Sequence, residues 1–197
     1  IAAAAVAPLG TVAVPAYHAE TAMDRDSDVG GPDRRTNGLG GACPPSEVFD
    51  VASWGGAGPP ERQLAAAREG LVGEFDRPDP AGAERLARLY LHFAMGAEAA
   101  QIARTFGLDG QKGEIIQEIA AIIEGGHFSH SGILAETATC DRNAALWAFL
   151  GADEDDLSRF ADTAGLTLAH SALPPGLRQL VGPVLADRLI AIGALDQ

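Results

Sequence analysis

The sequence predicts an all-α fold in which antiparallel helical hairpins stack on one another behind an extended, loop-rich arm. Apolar residues recur at helical spacing through residues 60–197. A leucine followed by a small residue occurs twice in the same helical context, at Leu86 and at Leu185. Residues 1–59 are instead rich in Gly, Pro, Asp, Ser and Asn. We therefore expect an arm over residues 1–59 and a helical-repeat domain over residues 60–197.

The arm lacks the apolar pattern of a segment that folds alone. Turn signals crowd its middle, as in Asn37-Gly38 and Gly40-Gly41, and this composition favours disorder unless another surface holds it. Its first part, Ile1 to Tyr17, is apolar but is interrupted by two prolines and a glycine. A membrane-spanning helix needs about 20 strongly apolar residues, so we expect no direct membrane insertion. We interpret this part as an arm against a partner; the alternative is a remnant left by an upstream signal or anchor.

The short apolar segment Val48–Trp54 is the best candidate for fastening the arm to a surface. Glu47–Ala52, which overlaps it, is also the best match in the chain to strand alternation. Trp54 carries a large aromatic side chain that can fill a groove. That groove belongs either to the helical body or to a neighbouring protein, so Trp54 is a possible partner anchor.

Proline, glycine and aspartate divide the second part of the chain into helices. Asp76–Pro80 stops the first of them, and Asp141 and Asp153 are predicted N-caps. We expect Pro174-Pro175 and Pro183 to interrupt the last two helices. The other predicted helices cover Glu61–Phe75, Pro80 to about Met95, Ala97–Phe106, Glu114–Glu124, Asp141 to Leu150, and about Glu154 to His170.

A repeated pattern indicates how these helices pair. Tetratricopeptide hairpins carry Leu-small-x-x-aromatic in their first helix and a small residue in the second, because the two helices cross closely only where side chains are small. Trp147–Gly151 resembles the opening of such a unit, without the aromatic residue that should follow. The two better matches place repeat packing at Leu86, Ala87 and Tyr90 with Ala99 on the partner helix, and again at Leu185, Ala186, Leu189 and the turn residue Gly193.

The distance between the two matches supplies a period. Leu86 and Leu185 lie 99 residues apart, close to three periods of roughly 33 to 34 residues. The helix that should follow Gly193 would complete the last hairpin, so we expect the domain to be truncated at its C-terminal end. The alternative is an irregular helical bundle in which the Leu-Ala pairs are coincidental.

Several segments together carry a family resemblance. They are Trp54-Gly55, Leu71–Pro80, Leu86–Leu91, Cys140-Asp141 and Ala144–Trp147. They resemble a group of uncharacterised tetratricopeptide-like proteins of Rhodobacter-type alphaproteobacteria, over roughly Cys43 to the end of the chain. The resemblance implies a large, exported α-solenoid, periplasmic or otherwise outside the cytoplasm. It brings no known reaction and no catalytic residues.

Cys43 and Cys140 are the only cysteines, and an even pair in an exported protein suggests a disulfide. Such a bridge would fasten the arm to the helical body and explain how a Gly-rich arm stays ordered. The alternative is two free thiols in a cytosolic protein.

The charge balance excludes some classes of partner. The net charge is −13 and Lys112 is the only lysine, so no basic footprint for nucleic acid or for an anionic membrane is present. The partners that remain are other proteins, in a large complex.

No pattern in the chain predicts catalysis or a cofactor. His127 and His130 with Cys140 only faintly resemble a zinc site, and solvated histidines are the more common case. The acidic run Asp153–Asp156 lacks the spacing of a calcium loop and suits a helix N-terminus. Neither a nucleophile elbow nor a phosphate-binding glycine loop occurs, so we predict no catalytic, metal or cofactor site.

These observations favour a non-enzymatic scaffold, or protein-interaction segment, of a larger exported assembly. One alternative is the helical non-catalytic part of a cell-wall enzyme whose active domain lies outside this sequence. Another is a small ligand-binding or metal-binding helical domain.

Overall fold

The fold was obtained as a computed structural model that describes residues 35–69, 71, 79–126 and 132–194. Within these ranges the secondary structure consists of α-helices and short 3-10 helices, with one isolated β-bridge between Thr36 and Ala42. The all-α prediction is therefore confirmed. The chain divides into Ile1–Pro32, which lies outside the described residues, and the compact unit Asp33–Gln197.

The described α-helices follow one another with short connections. Three 3-10 helices accompany them, at Ser46–Val48, Val51–Trp54 and Glu154–Arg159. The α-helices are α1 (Pro60–Glu69), α2 (Pro80–His92), α3 (Gly96–Thr105), α4 (Gly110–Ile123), α5 (Ile133–Thr137), α6 (Arg142–Gly151), α7 (Thr163–Ala172) and α8 (Pro175–Ala191).

Each described α-helix packs on the next one in the chain, and some alternate helices also meet. The neighbours in contact are α1 with α2, α2 with α3, α3 with α4, α4 with α5, α5 with α6, α6 with α7, and α7 with α8. In addition α2 contacts α4, α4 contacts α6, and α6 contacts α8. Trp147, Phe149, Leu86 and Ile119 lie in one continuous core that these contacts enclose.

Residues 46–54 belong to this packed core, although they fall within the predicted arm. Glu47–Ala52, the best match to strand alternation, does not form a strand. The segment forms two 3-10 helices with local hydrogen bonds such as Phe49 N–H to the Ser46 carbonyl. Val48, Phe49 and Val51 are buried, and the second 3-10 helix packs on α2. Burial of these apolar side chains in the helical core requires no partner strand.

Helix boundaries agree with the sequence signals in some places. The first helix is observed over Pro60–Glu69, and the rest of the predicted segment to Phe75 lies largely outside the described residues. The Asp141 carboxylate accepts a hydrogen bond from Asn143 N–H at 2.7 Å, so the predicted N-cap of α6 is confirmed. Helix α5 was not predicted, because only five residues carry it.

Two predicted boundaries are wrong. The single helix expected from Glu154 to His170 is divided after Arg159. Phe160 adopts extended backbone angles and packs edge-on against Phe149, and the Asp162 carboxylate then caps α7 through Gly165 N–H at 2.8 Å. Pro183, expected to interrupt a helix, lies inside α8. It is exposed, so the carbonyl that lacks its usual partner there can be solvated.

The first repeat match is buried as a hairpin contact should be. Leu86, Ala87, Tyr90 and Ala99 are all within the core, on the contacting helices α2 and α3. The close packing of α3 on α4 also depends on a small residue, because a Cβ at Gly96 would lie 2.6 Å from the Ala120 carbonyl oxygen.

The second match is displaced by about one helical turn. Leu185 and Leu189 are buried, but Ala186 is exposed and Gly193 lies in the turn after α8 with φ +68°. Counted from the helix starts at Pro80 and Pro175, the position of Ala87 is taken in α8 by Gly182. A Cβ at Gly182 would lie 3.4 Å from Nε2 of His170 on α7. Ala186 is therefore not a packing residue, and Gly182 is the small residue of α8 that faces α7.

Ala87→Phe should destabilise the protein, whereas Ala186→Phe should leave its stability almost unchanged. We expect Ala87→Phe to overpack the core and to lower the free energy of unfolding by about 1–3 kcal/mol. Ala186→Phe should change it by less than about 0.5 kcal/mol, because Ala186 is exposed. Urea denaturation of both variants measures this, and equal stabilities would show that the helix register is wrong.

Candidate interaction site

A disulfide joins the end of the predicted arm to the helical body. Cys43 and Cys140, 97 residues apart in sequence, are bonded with an S–S distance of 2.03 Å and a Cα–Cα distance of 5.6 Å. The predicted pairing is confirmed. Beside it, Arg35 Nη1 donates to the Cys140 carbonyl at 3.4 Å, and Gly38 N–H donates to Thr139 Oγ1 at 3.1 Å. These bonds hold the chain before Cys43 against the turn between α5 and α6.

That chain forms a tight turn between Thr36 and Ala42. Asn37 organises it, because its Oδ1 accepts hydrogen bonds from Leu39 N–H at 3.1 Å and Gly41 N–H at 2.7 Å. Gly40 has φ +82°, a conformation that glycine adopts without strain. The turn presents Leu39 at its tip, where the residue is 76% exposed.

A pocket of about 430 Å³ lies beside this turn, between α5, α6, the 3-10 helix Glu154–Arg159 and α7. Ala145 and Ala148 of α6 and Ala152 just beyond it form one wall at helical spacing. Phe160 and Leu166 line another part of the pocket, and Leu39 contributes from the turn. Alanines leave this space open because their side chains end at Cβ.

The pocket also has acidic residues in its lining. Glu136, Asp156 and Asp162 contribute carboxylates, and Arg159 contributes one guanidinium group. Arg159 Nη1 lies 3.3 Å from Asp156 Oδ1, so its charge is partly neutralised by that carboxylate. The pocket therefore combines apolar walls with a negative balance of charge.

A buried arginine of α8 holds the end of α6, where Ala152 lines the pocket. Arg188 of α8 donates through Nη1 to the carbonyls of Phe149 at 2.9 Å and Ala152 at 2.6 Å, at the end of α6. Removal of the guanidinium from water lowers the pKa of Arg188, while the nearby carboxylates of Glu154 and Asp153 oppose this shift. The side chain thus satisfies helix carbonyls that have no intrahelical donor.

Glu118 of α4 accepts hydrogen bonds at the start of α5, whereas Arg188 donates them at the end of α6. Its two carboxylate oxygens accept hydrogen bonds from Ile133 N–H and Leu134 N–H, each at 2.9 Å. Burial raises the pKa of Glu118, although both backbone bonds act in the opposite direction. Because α5 contributes Ala135 and Glu136 to the pocket, Glu118 fixes one of its walls.

Trp54, predicted as a possible partner anchor, lies on the protein's own helical body. Its indole Nε1 donates to the Glu47 carbonyl at 2.9 Å, and the guanidinium of Arg88 lies 5.4 Å from its ring centroid. Next to it, His92 Nδ1 is 2.9 Å from the Val51 carbonyl oxygen. A Cβ at Gly55 would collide with the His92 ring, so the segment approaches α2 closely.

Helix α8 carries three apolar side chains that the described residues leave partly uncovered. Leu180 and Val184 are a little over two-fifths exposed, and Ile190 is 60% exposed. Leu168 of the neighbouring α7 is also more than half exposed. Surface leucines are common singly, but several on one helix indicate a contact surface.

The residues weighed for metal or catalytic chemistry do not assemble into a site where they are described. His127 and His130 lie outside the described residues, and Cys140 is disulfide-bonded. Elsewhere in the described ranges, no three His, Cys, Asp or Glu side chains converge as metal ligands would. The described helices also include none long and apolar enough to cross a membrane.

Sequence reasoning missed the pocket. The sequence feature that could have indicated it is the spacing of Ala145, Ala148 and Ala152. The same spacing is equally typical of a close helix crossing. Comparison of the chain with protein-family models, with curated proteins and with solved structures found no match.

Reduction of the disulfide should destabilise the protein. Closing a loop of about 100 residues stabilises a fold by roughly 4–5 kcal/mol in the chain-entropy model, an upper value for this bridge. We expect the Cys43→Ser/Cys140→Ser variant to melt at a lower temperature than the oxidised wild type. Added reductant should lower the melting temperature of the wild type and leave that of the variant unchanged. Non-reducing peptide mapping should show the two cysteine peptides linked; free thiols in the purified native protein would contradict the pairing.

Glu118 should make stability depend on pH. Its pKa is raised above the ordinary 4.5, so the folded protein holds this proton to a higher pH than the unfolded chain. Its contribution to stability is complete below that ordinary value and is lost as pH rises through the folded pKa. The stability of the wild type relative to Glu118→Gln should therefore be lower near pH 7 than near pH 3.5.

Urea unfolding of both proteins at the two pH values measures this difference. Glu98→Gln, which removes an exposed carboxylate of α3, is the control for loss of one surface charge. A wild-type advantage that grows with pH would contradict the assignment.

Proposed function

We propose that this protein is a non-enzymatic scaffold built of tetratricopeptide-like helical hairpins, and that it binds other proteins in an exported assembly. The observation that carries the proposal is the series of contacts between alternate helices α2, α4, α6 and α8. In a stacked-hairpin protein the first helix of each unit packs on the first helix of the next.

The spacing of these four helices supports the same interpretation. They begin at Pro80, Gly110, Arg142 and Pro175, at intervals of 30, 32 and 33 residues. Tetratricopeptide units repeat every 34 residues or so, and shortened connections account for the smaller intervals. On this scheme α3, α5 and α7 are the second helices, and α5 is a shortened one.

The last helix in the series offers a surface for binding. Stacks of hairpins end in units with polar outer faces where they meet water. Helix α8 instead exposes three apolar side chains, Leu180 and Val184 one turn apart and Ile190 further along the helix. Exposed apolar side chains in this position support contact with a further helical element or with another protein.

The disulfide and the family resemblance support export. Disulfides persist in oxidising compartments, and the Cys43–Cys140 bridge is of the kind found there. The similarity to exported tetratricopeptide-like proteins over Cys43 onwards agrees with this compartment.

Site-specific photo-cross-linking tests the proposed function. Val184→p-benzoylphenylalanine, expressed in the cell that makes the protein, should yield a discrete cross-linked protein. Gln117→p-benzoylphenylalanine, at an exposed polar position on α4, is the matched control and should yield none.

Adding Leu180→Ser and Ile190→Ser to the Val184 probe should abolish the adduct, because the exposed apolar side chains supply the binding energy. The same products from positions 184 and 117, or none from either, would overturn the proposal.

A further inference from the structure

We propose that the alanine-lined pocket binds a short segment of a partner protein in which an apolar side chain is flanked by arginine or lysine. This inference rests on the proposed protein-binding function and names the chemistry of one partner. It is carried by the shape, the lining and the charge of the pocket beside the disulfide-held turn.

The shape of the pocket fits one or two large side chains. A volume of about 430 Å³ exceeds what a single leucine or phenylalanine needs and is at the lower end of ligand-sized pockets. Ala148 and Ala152 are buried at the back of the pocket, and Leu166 adds apolar surface. A partner side chain placed here would be desolvated on several sides, as interface anchors are.

The rim extends this apolar surface outwards. Leu39 is 76% exposed at the tip of its turn, yet it lines the pocket. The Cys43–Cys140 bridge and the Gly38–Thr139 hydrogen bond fix this turn to residues 139 and 140 beside the pocket. A peptide that enters the pocket therefore meets a fixed leucine at the edge, which gains contact area with little loss of backbone entropy.

The negative charge of the pocket lining distinguishes between apolar segments that differ in their flanking charged residues. Three carboxylates, of Glu136, Asp156 and Asp162, line the pocket against one guanidinium, of Arg159. Asp156 is already paired with Arg159, and Asp162 is engaged in capping α7. Glu136 is thus the carboxylate best placed to meet an incoming cation. Basic residues on both sides of the anchor complement this lining, and acidic ones are repelled.

Three labelled peptides test the proposal on the oxidised protein. The first has a central leucine-phenylalanine pair with two arginines on each side. In the second, glutamates replace the arginines, and in the third, serines replace the central pair. Fluorescence anisotropy should show saturable binding of the first peptide at micromolar concentration and binding at least about tenfold weaker for the other two.

Pocket variants locate the binding. Ala161→Phe fills the pocket from an exposed position, so it should weaken binding about tenfold or more without unfolding the chain. Ala172→Phe adds the same bulk at an exposed position outside the pocket and should leave binding unchanged. Glu136→Gln should weaken binding severalfold, whereas Glu98→Gln on α3 should not.

The proposal is overturned if the first peptide does not bind, if the glutamate peptide binds equally well, or if Ala161→Phe binds like the wild type while circular dichroism shows it folded. The cross-linking at Val184 reports on a different surface, formed by α8. Failure of the peptide with a retained adduct at Val184 would reject this pocket alone, and loss of both would reject the protein-binding function.

Discussion

The guanidinium of Arg188 joins the last described helix to the centre of the protein. Helix α6 ends in the interior, where water cannot reach the carbonyls of Phe149 and Ala152. An unpaired buried carbonyl destabilises a fold by about 1–3 kcal/mol, so the end of α6 can be buried only if a donor is supplied. The donor comes from α8, and the position of α8 therefore depends on this interaction as well as on apolar packing.

The same constraint recurs at other helix ends, with the polarity reversed. Glu118 of α4 accepts hydrogen bonds from the first N–H groups of α5, and Glu124 beyond α4 accepts one from Ala97 N–H in α3 at 3.0 Å. Carboxylates suit helix N-termini and a guanidinium suits a C-terminus, because the helix dipole is positive at one end and negative at the other. The start of α3, exposed at Ala97, and the partly buried start of α5 are thus each held by a glutamate of α4 or by the one that follows it.

The pocket is a consequence of this arrangement. Arg188 fixes the chain at Ala152, Glu118 fixes α5, and the disulfide fixes the turn that carries Leu39. Between these three fixed elements, the alanines of α6 leave the space unfilled. A surface held this firmly has little conformational entropy to lose when a partner binds, which is why we place partner recognition here.

Local signals in the sequence were sufficient to predict the helical class, several helix boundaries and the pairing of the two cysteines. These follow from local signals: apolar period, the Asp141 cap and the presence of only two thiols. The tertiary structure alone decided the rest. Phe160 interrupts the predicted helix because it packs on Phe149, and Pro183 is tolerated because it faces solvent. In α8 it is Gly182 that faces α7, while Ala186 is exposed. Each of these depends on what lies opposite the residue in space, and a one-dimensional pattern carries no information about that neighbour.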